Sequence, residues 1–312
     1  MKNVARTIGL SYASSRHILG ENIGIAIMDT GIEGTHPDFH GFHSPLTAFY
    51  DCIHQRTVPY DDNGHGTHVA GIICGNGNAS NGLIRGIAPY CNIIVVKVLN
   101  YRGEGNVEDV LCGVQWILQN RKKYNIRLVN ISVGSSREKS FQEESPLVQA
   151  VDSLWDAGLI VTTAAGNHGP EKYSIGAPGN SRKIITVGSS DDNRRTLVQG
   201  QSVRSYSSRG PTLKCIKKPD IVAPGSNILS CSHMFRNNYN FGKTSYYTTK
   251  SGTSMSTPIV TGSLALLLCV APHMSNRDVK LHLRSHSIDL GLPHERQGWG
   301  LLTIPSLLSD LV

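Results

Sequence analysis

Three observations in the amino-acid sequence predict an α/β fold, a three-layer, doubly wound, mostly parallel sheet with helices on both faces. First, short β-rich runs recur at Ile23–Met28, Ile93–Leu99, Leu128–Val133, Leu159–Thr163 and Lys183–Val187. Several are almost continuously apolar, which is how strands buried on both faces of a parallel sheet read. Second, the stretches between them carry helical spacing, at Val107–Gln119 and Pro146–Asp156. In the former, Val107, Val110, Leu111, Val114 and Ile117 are expected to share one face. Third, the 32 glycines fall between the apolar runs and so mark tight turns rather than disorder. Strand–helix–strand alternation of this kind implies right-handed βαβ units. After Val187 the texture becomes rich in Gly, Ser and Asn, with a hairpin expected near Thr196–Ser208. A long helix is expected from about Ser254 and another over Asn276–Arg284. No linker or repeat divides the chain, so one domain is expected over residues 1–312.

Composition narrows the function classes. With 39% hydrophobic and 17% charged residues there is ample material for a packed core. The net charge of +7 is spread over the chain in pairs such as Lys122-Lys123, Arg194-Arg195 and Lys217-Lys218. That reads as a solvated surface, so no nucleic-acid or membrane face is expected. The first residues, Met1–Thr7, hold no apolar core of a secretory signal, and the longest apolar stretch, Leu264–Ala271, is too short to cross a bilayer. Seven scattered cysteines without a CxxC pair suit reduced thiols. A cytoplasmic setting is therefore expected, the alternative being a secreted chain whose signal and propeptide have been removed.

In open α/β sheets, chemistry gathers at the carboxyl ends of the strands. There the chain places Asp29, closing Ile25-Ala26-Ile27-Met28, and His65, within Asp61-Asp62-Asn63-Gly64-His65-Gly66-Thr67-His68 at the mouth of an apolar helix. Ser254, within Ser251-Gly252-Thr253-Ser254-Met255-Ser256-Thr257-Pro258, opens a second helix. Each alone has an ordinary structural reading: a turn-forming Asp, a core His, a capping Ser. Together they supply what a hydroxyl nucleophile needs, a base to take its proton and a carboxylate to orient that base. A Ser at a helix N-terminus also sits where unpaired N–H groups can stabilise an oxyanion, and Pro258 is tolerated in the first turn. Asn167, in Ala164-Ala165-Gly166-Asn167-His168-Gly169 after another buried strand, is a candidate second oxyanion donor.

The segments DTG, NGHGTHVAG, AAGNHG and SGTSMSTP, in that order, resemble the motifs of the subtilisin-like serine proteases, the subtilases, from about residue 10 to 305. The resemblance is strongest to the bacterial cytosolic branch without a signal peptide. It extends through Arg85–Pro89, Val96–Asn100 and Tyr206–Pro211. The order Asp, His, Ser is that of subtilisin. Asp29, His65, Asn167 and Ser254 each fall on a functional position of the family. Ser256 departs from it, since the family usually has Ala there. The resemblance implies a serine endopeptidase acting on peptide or protein substrates. Gly103, Glu104 and Gly105 would form one peptide-pairing edge, and Ser132, Val133 and Gly134 the other. Ala164, Ala165, Gly166 and Gly176 would wall a roomy slot for a large apolar P1 side chain. Val107, Val110 and Val133 would line a second pocket, for P4.

Two alternatives accompany this reading: a processing peptidase dedicated to one precursor or leader peptide, and a binding module that keeps the fold without turnover. The second is disfavoured because Asp29, His65, Asn167 and Ser254 are all present. No metal is expected in the chemistry. His36, His40 and His43 read as loop residues rather than zinc ligands. Calcium is expected at most as a structural ion, because the Gly75–Gly82 loop lacks carboxylates and only Asp191 and Asp192 offer a weak set.

Overall fold

The computed structural model describes residues 1–41, 43–132, 145–234 and 245–312. The expected Val133 and Gly134 of the second peptide-pairing edge lie outside the described residues. Two short helices, α1 (Lys2–Thr7) and α2 (Ser11–Ser14), lead into β1 (Gly24–Asp29), β2 (Leu46–Asp51), α3 (His65–Cys74) and β3 (Asn92–Lys97). Then follow α4 (Val107–Asn120), β4 (Ile126–Ile131), α5 (Pro146–Asp156), β5 (Ile160–Ala164) and β6 (Ile185–Ser189). The hairpin β7 (Thr196–Val198) and β8 (Gln201–Val203) precedes β9 (Ile221–Ala223), β10 (Ile228–Cys231) and β11 (Tyr247–Lys250). The long helix α6 (Thr253–Val270) and α7 (Asn276–Ser285) follow.

Seven strands form one sheet in the order β2-β3-β1-β4-β5-β6-β9, every neighbouring pair parallel. The chain leaves β1 towards β2 and β3 on one side, then crosses to β4 on the other. The carboxyl end of β1 is thus a topological switch point, and Asp29 closes it. Helices cover both faces: α3 and α6 pack together on one, α4 and α5 on the other.

The strands are apolar because both their faces are covered. Ile25, Ala26, Ile27 and Met28 are wholly buried, as are Ile93 to Val96. Helix α6 is apolar all round for the same reason, running beneath β4, β5, β6 and β9. It is the one helix among the described residues long and apolar enough to cross a membrane, a length the eight-residue apolar count did not reveal, and its burial within the sheet layers accounts for that composition. Side-chain caps start α4, α5 and α7: Asn106 accepts from Asp109 N–H on α4, Ser145 accepts from Val148 N–H on α5, and Ser275 forms a capping box with Asp278 on α7.

Two expectations are revised. On α4 the buried stripe is Val110, Gly113, Val114 and Ile117, whereas Val107 is 44% and Leu111 36% exposed. Val107 and Leu111, one turn apart, lie together on the solvent side of the buried stripe. The expected strand list also omitted β2, an edge strand of mixed polarity, β9 at the opposite edge of the sheet, and the antiparallel pair β10–β11.

Candidate active site

Asp29, the last residue of β1, is fully buried, and its two carboxylate oxygens lie 2.8 and 3.0 Å from Nδ1 of His65. Thr30 N–H also donates to Oδ1, at 2.7 Å. His65 opens α3 and remains 23% exposed, so its ring is gripped on one side and reachable on the other.

The turn that delivers His65 is built around a second buried carboxylate. Asp61 accepts from Thr30 Oγ1, from the Asn63, Gly64 and Thr67 N–H groups, and from Thr67 Oγ1, at 2.6 to 3.1 Å. Burial pushes this carboxyl up, but the donors from Thr67, Gly64 and Thr30 outweigh it and hold it below its ordinary value. Gly64 takes a left-handed φ of 91° at the helix start. Gly66 N–H donates to Thr30 Oγ1, at 2.9 Å, and a side chain at Gly66 would collide with the Gly31 carbonyl. Beneath, the buried Lys97 ammonium donates to the Thr30 and Leu99 carbonyls and to Asp62, at 2.6 to 2.7 Å. Thr30 therefore touches Asp29, Asp61, Gly66 and Lys97, which couples the carboxylate of the pair to the loop that carries the imidazole.

Ser254 stands in the first turn of α6, and its Oγ donates to the Ser132 carbonyl at 2.9 Å. Asn167 follows β5, and its Oδ1 accepts from Thr253 N–H at 2.9 Å and from Thr253 Oγ1 at 3.1 Å. Only an oxygen can meet an N–H, so the amide Nδ2 is turned outward, without a partner among the described residues. Nδ2 lies beside Gly252, 3.1 Å from where a Cβ there would sit. The four candidate residues thus arrive from β1, α3, the end of β5 and the start of α6 at one end of the sheet. Such a set can activate a hydroxyl and stabilise an oxyanion.

Among the expected substrate contacts, Gly103, Glu104 and Gly105 form an exposed turn before α4. Asn100 holds it through Glu104, and Asn63 Nδ2 ties it to the His65 loop by donating to the Tyr101 carbonyl at 3.0 Å. Ala164 approaches Gly176 across Gly179, where a Cβ would be 3.0 Å from the Ala164 carbonyl and 3.2 Å from that of Gly176. Ser132 is buried, and Val110 is far more buried than Val107.

At the weak calcium set expected from the sequence, Asp191 and Asp192 are engaged in hydrogen bonds within the protein. Asp191 Oδ1 already accepts from Ser189 Oγ and from the Gly225 and Ser226 N–H groups, and Asp192 Oδ2 from Ser207 N–H. The fold does bring Cys231 to His36 and Asp38, their ligand atoms within 4.8 Å of one another. These groups are committed as well: Asp38 N–H donates to His36 Nδ1, while Tyr247 OH and Ala79 N–H donate to Asp38. Burial, then Asp38, pushes the Cys231 thiol well up. Ser256, the departure from the family pattern, is wholly buried, with no hydrogen-bond partner for its hydroxyl among the described residues.

The subtilase family, peptidase S8, is matched over residues 20–300. The chain belongs to this family. It is 42% identical over 280 residues to the serine protease AprX of Bacillus subtilis (strain 168), covering 86% of this chain and 62% of that protein. It thus spans less than two thirds of AprX. It is 33% identical to subtilisin Savinase of Lederbergia lenta, over 89% of this chain and 88% of that one. The solved structure named S41 psychrophilic protease superposes with a TM-score of 0.74 at 29% identity, covering 91% of this subtilase and 92% of that chain. Sphericase superposes with a TM-score of 0.73 at 27% identity. The doubly wound α/β sheet read from the sequence is therefore the subtilisin-like one.

Proposed function

We propose that this subtilase is a serine endopeptidase with Ser254 as nucleophile, His65 as general base and then acid, and Asp29 as the group that orients the base. The observation that carries the reading is the Asp29–His65 pair at 2.8 Å, anchored on a fully buried carboxylate, at the sheet end where α6 presents Ser254. With Nδ1–H given to Asp29, the His65 Nε2 lone pair is free to take a proton. The Ser254 hydroxyl turns about its Cα–Cβ bond, away from the Ser132 carbonyl, to give it. Its Oγ then attacks the scissile carbonyl. The oxyanion is met by Asn167 Nδ2 and Ser254 N–H, and His65 passes the proton to the leaving amine. Water repeats the sequence to release the acyl group. The set supplies acid, base and nucleophile itself, so no metal enters the proposed chemistry.

The acyl half of an extended peptide would pair with Gly103–Gly105 and with the edge at Ser132. The small residues Ala164, Ala165, Gly166 and Gly176 favour a large apolar P1 side chain, and Val107 with Val110 an apolar P4. A cytoplasmic setting belongs to the same reading, because all seven cysteines are free thiols.

The test is hydrolysis of a chromogenic peptide with Phe at P1. Native protein is expected to cleave it, Ser254→Ala to be slower by about 10⁶-fold, and a serine-directed inhibitor to abolish the native activity. Failure of the folded native chain to cleave this peptide or casein would overturn the proposal.

A further inference from the structure

A peptidase must hold both halves of its substrate, and the contacts assigned above serve only the acyl half. The loop at 103–105 and the edge at Ser132 reach the site from β3 and β4. The β10–β11 pair reaches it by another route, packing on α3 and feeding the chain into α6. His65 must deliver a proton to the leaving amine, so the leaving half departs on the side of α3 and this pair.

Two donors stand there. His233 follows β10, and its ring lies so close to the Gly64 backbone that a side chain on Gly64 would collide with it. Gly64 immediately precedes His65. Lys250 ends β11, from which the chain runs through Ser251 and Gly252 into the first turn of α6. Both side chains are half-buried, and neither has a hydrogen-bond or ion-pair partner among the described residues. The carboxylates around them are taken: Asp29 by His65, Asp61 by Thr30 and Thr67, Asp62 by Lys97, and Asp38 by Tyr247 and Ala79. Burial, and after it the Lys250 charge, lowers the His68 imidazole on α3 to about 3.

Resting on the peptidase reading, we infer that His233 and Lys250 receive an acidic side chain of the leaving half. Peptides with Asp or Glu in the first two positions after the scissile bond are then cut faster than their neutral counterparts. Lys250 supplies a full charge and His233 a ring N–H, which suits a carboxylate better than an amide. The leaving-group wall would thus select by charge, whereas the acyl side selects by apolar volume.

The test uses three quenched fluorescent peptides with Phe at P1, identical except for Glu, Gln or Lys just after the scissile bond, and a p-nitroanilide of the same acyl sequence. The native chain is expected to show kcat/KM about three- to fivefold higher for Glu than for Gln at low ionic strength. The advantage should shrink as salt is added. Lys250→Gln is expected to bring the Glu-to-Gln ratio close to one, and Lys250→Glu to reverse the order in favour of the Lys peptide. Active-site titration and melting curves on each variant separate a changed preference from a lost fold. A native ratio of one, or a ratio unchanged in Lys250→Gln, overturns the inference and leaves the peptidase reading standing. Absence of cleavage of all three peptides and of the p-nitroanilide overturns both.

Discussion

The molecule buries a lysine at each end of its sheet, and the two serve different purposes. Lys97 closes β3 at the carboxyl end, beside Asp29, and gives its three donors to the Thr30 carbonyl, the Leu99 carbonyl and Asp62. Lys218 stands before β9 at the amino end, and donates to the Ile184 carbonyl and to Asp220. Around Lys218 the network is closed. Asp220 also accepts from Thr186 N–H, and Lys280 of α7 reaches the Arg182, Lys183 and Ile184 carbonyls. Around Lys97 it is open towards solvent: His65 and Ser254 stay half-exposed, and Asn167 keeps its amide nitrogen without a partner among the described residues. Buried charge at the amino end ties strands together, while at the carboxyl end it fixes loops whose functional groups are left unspent. Stability and the proposed function thus occupy opposite ends of one sheet.

The difference can be broken first at Asn167. Asn167→Ala removes the outward amide and one acceptor of Thr253, and kcat is expected to fall about 10²- to 10³-fold with KM little changed. An equal loss in KM would mean that Asn167 serves binding rather than the oxyanion. Next comes Lys97→Met, which leaves the Thr30 and Leu99 carbonyls and Asp62 without their donor. A displacement of Thr30 moves both Asp29 and Asp61, so kcat/KM per titrated active site is expected to drop roughly 10- to 100-fold. If this variant only lowered the melting temperature, the two lysines would be alike and the contrast would fail.

How much of this was legible in the sequence follows the same division. The strand runs, the carboxyl-end position of Asp29 and the helix starts at His65 and Ser254 were readable, because each leaves a local pattern: an apolar run, a turn, a cap. The α5 span Pro146–Asp156 was read residue for residue, since Pro at its start and amphipathic spacing mark it. Lys97 and Asp61 were quoted only as parts of motifs and given no role. A signal was present: a lysine inside the apolar run Ile93–Leu99 has to find buried acceptors. Which acceptors depends on Thr30, 67 residues away, and no local pattern carries that. His233 was likewise hidden, because its closeness to Gly64 exists only once β10 packs on α3. The face of α4 was misread for a related cause, since periodicity gives a stripe but not where its cover ends.

The smallest expected effect tests the amino end through pH. Burial lowers the Lys218 ammonium to about 8, against an ordinary 10.5, even though Asp220 pulls the other way. Between these values the unfolded chain holds a proton on this side chain that the folded chain has released, so folding stability rises with pH across the window. Neutral Lys218 can still donate to the Ile184 carbonyl, so releasing the proton leaves that tie in place. Relative to Lys218→Met, the native chain is therefore expected to gain of the order of 1–2 kcal/mol between pH 8 and pH 10, read from urea midpoints at each pH. Turnover per titrated active site should be the same in the two proteins at any one pH. A flat difference would mean that Asp220 holds the ammonium charged throughout, so that the amino end keeps a full ion pair. A turnover that moved with Lys218 would mean that the two ends of the sheet are coupled, and the separation of roles would not hold.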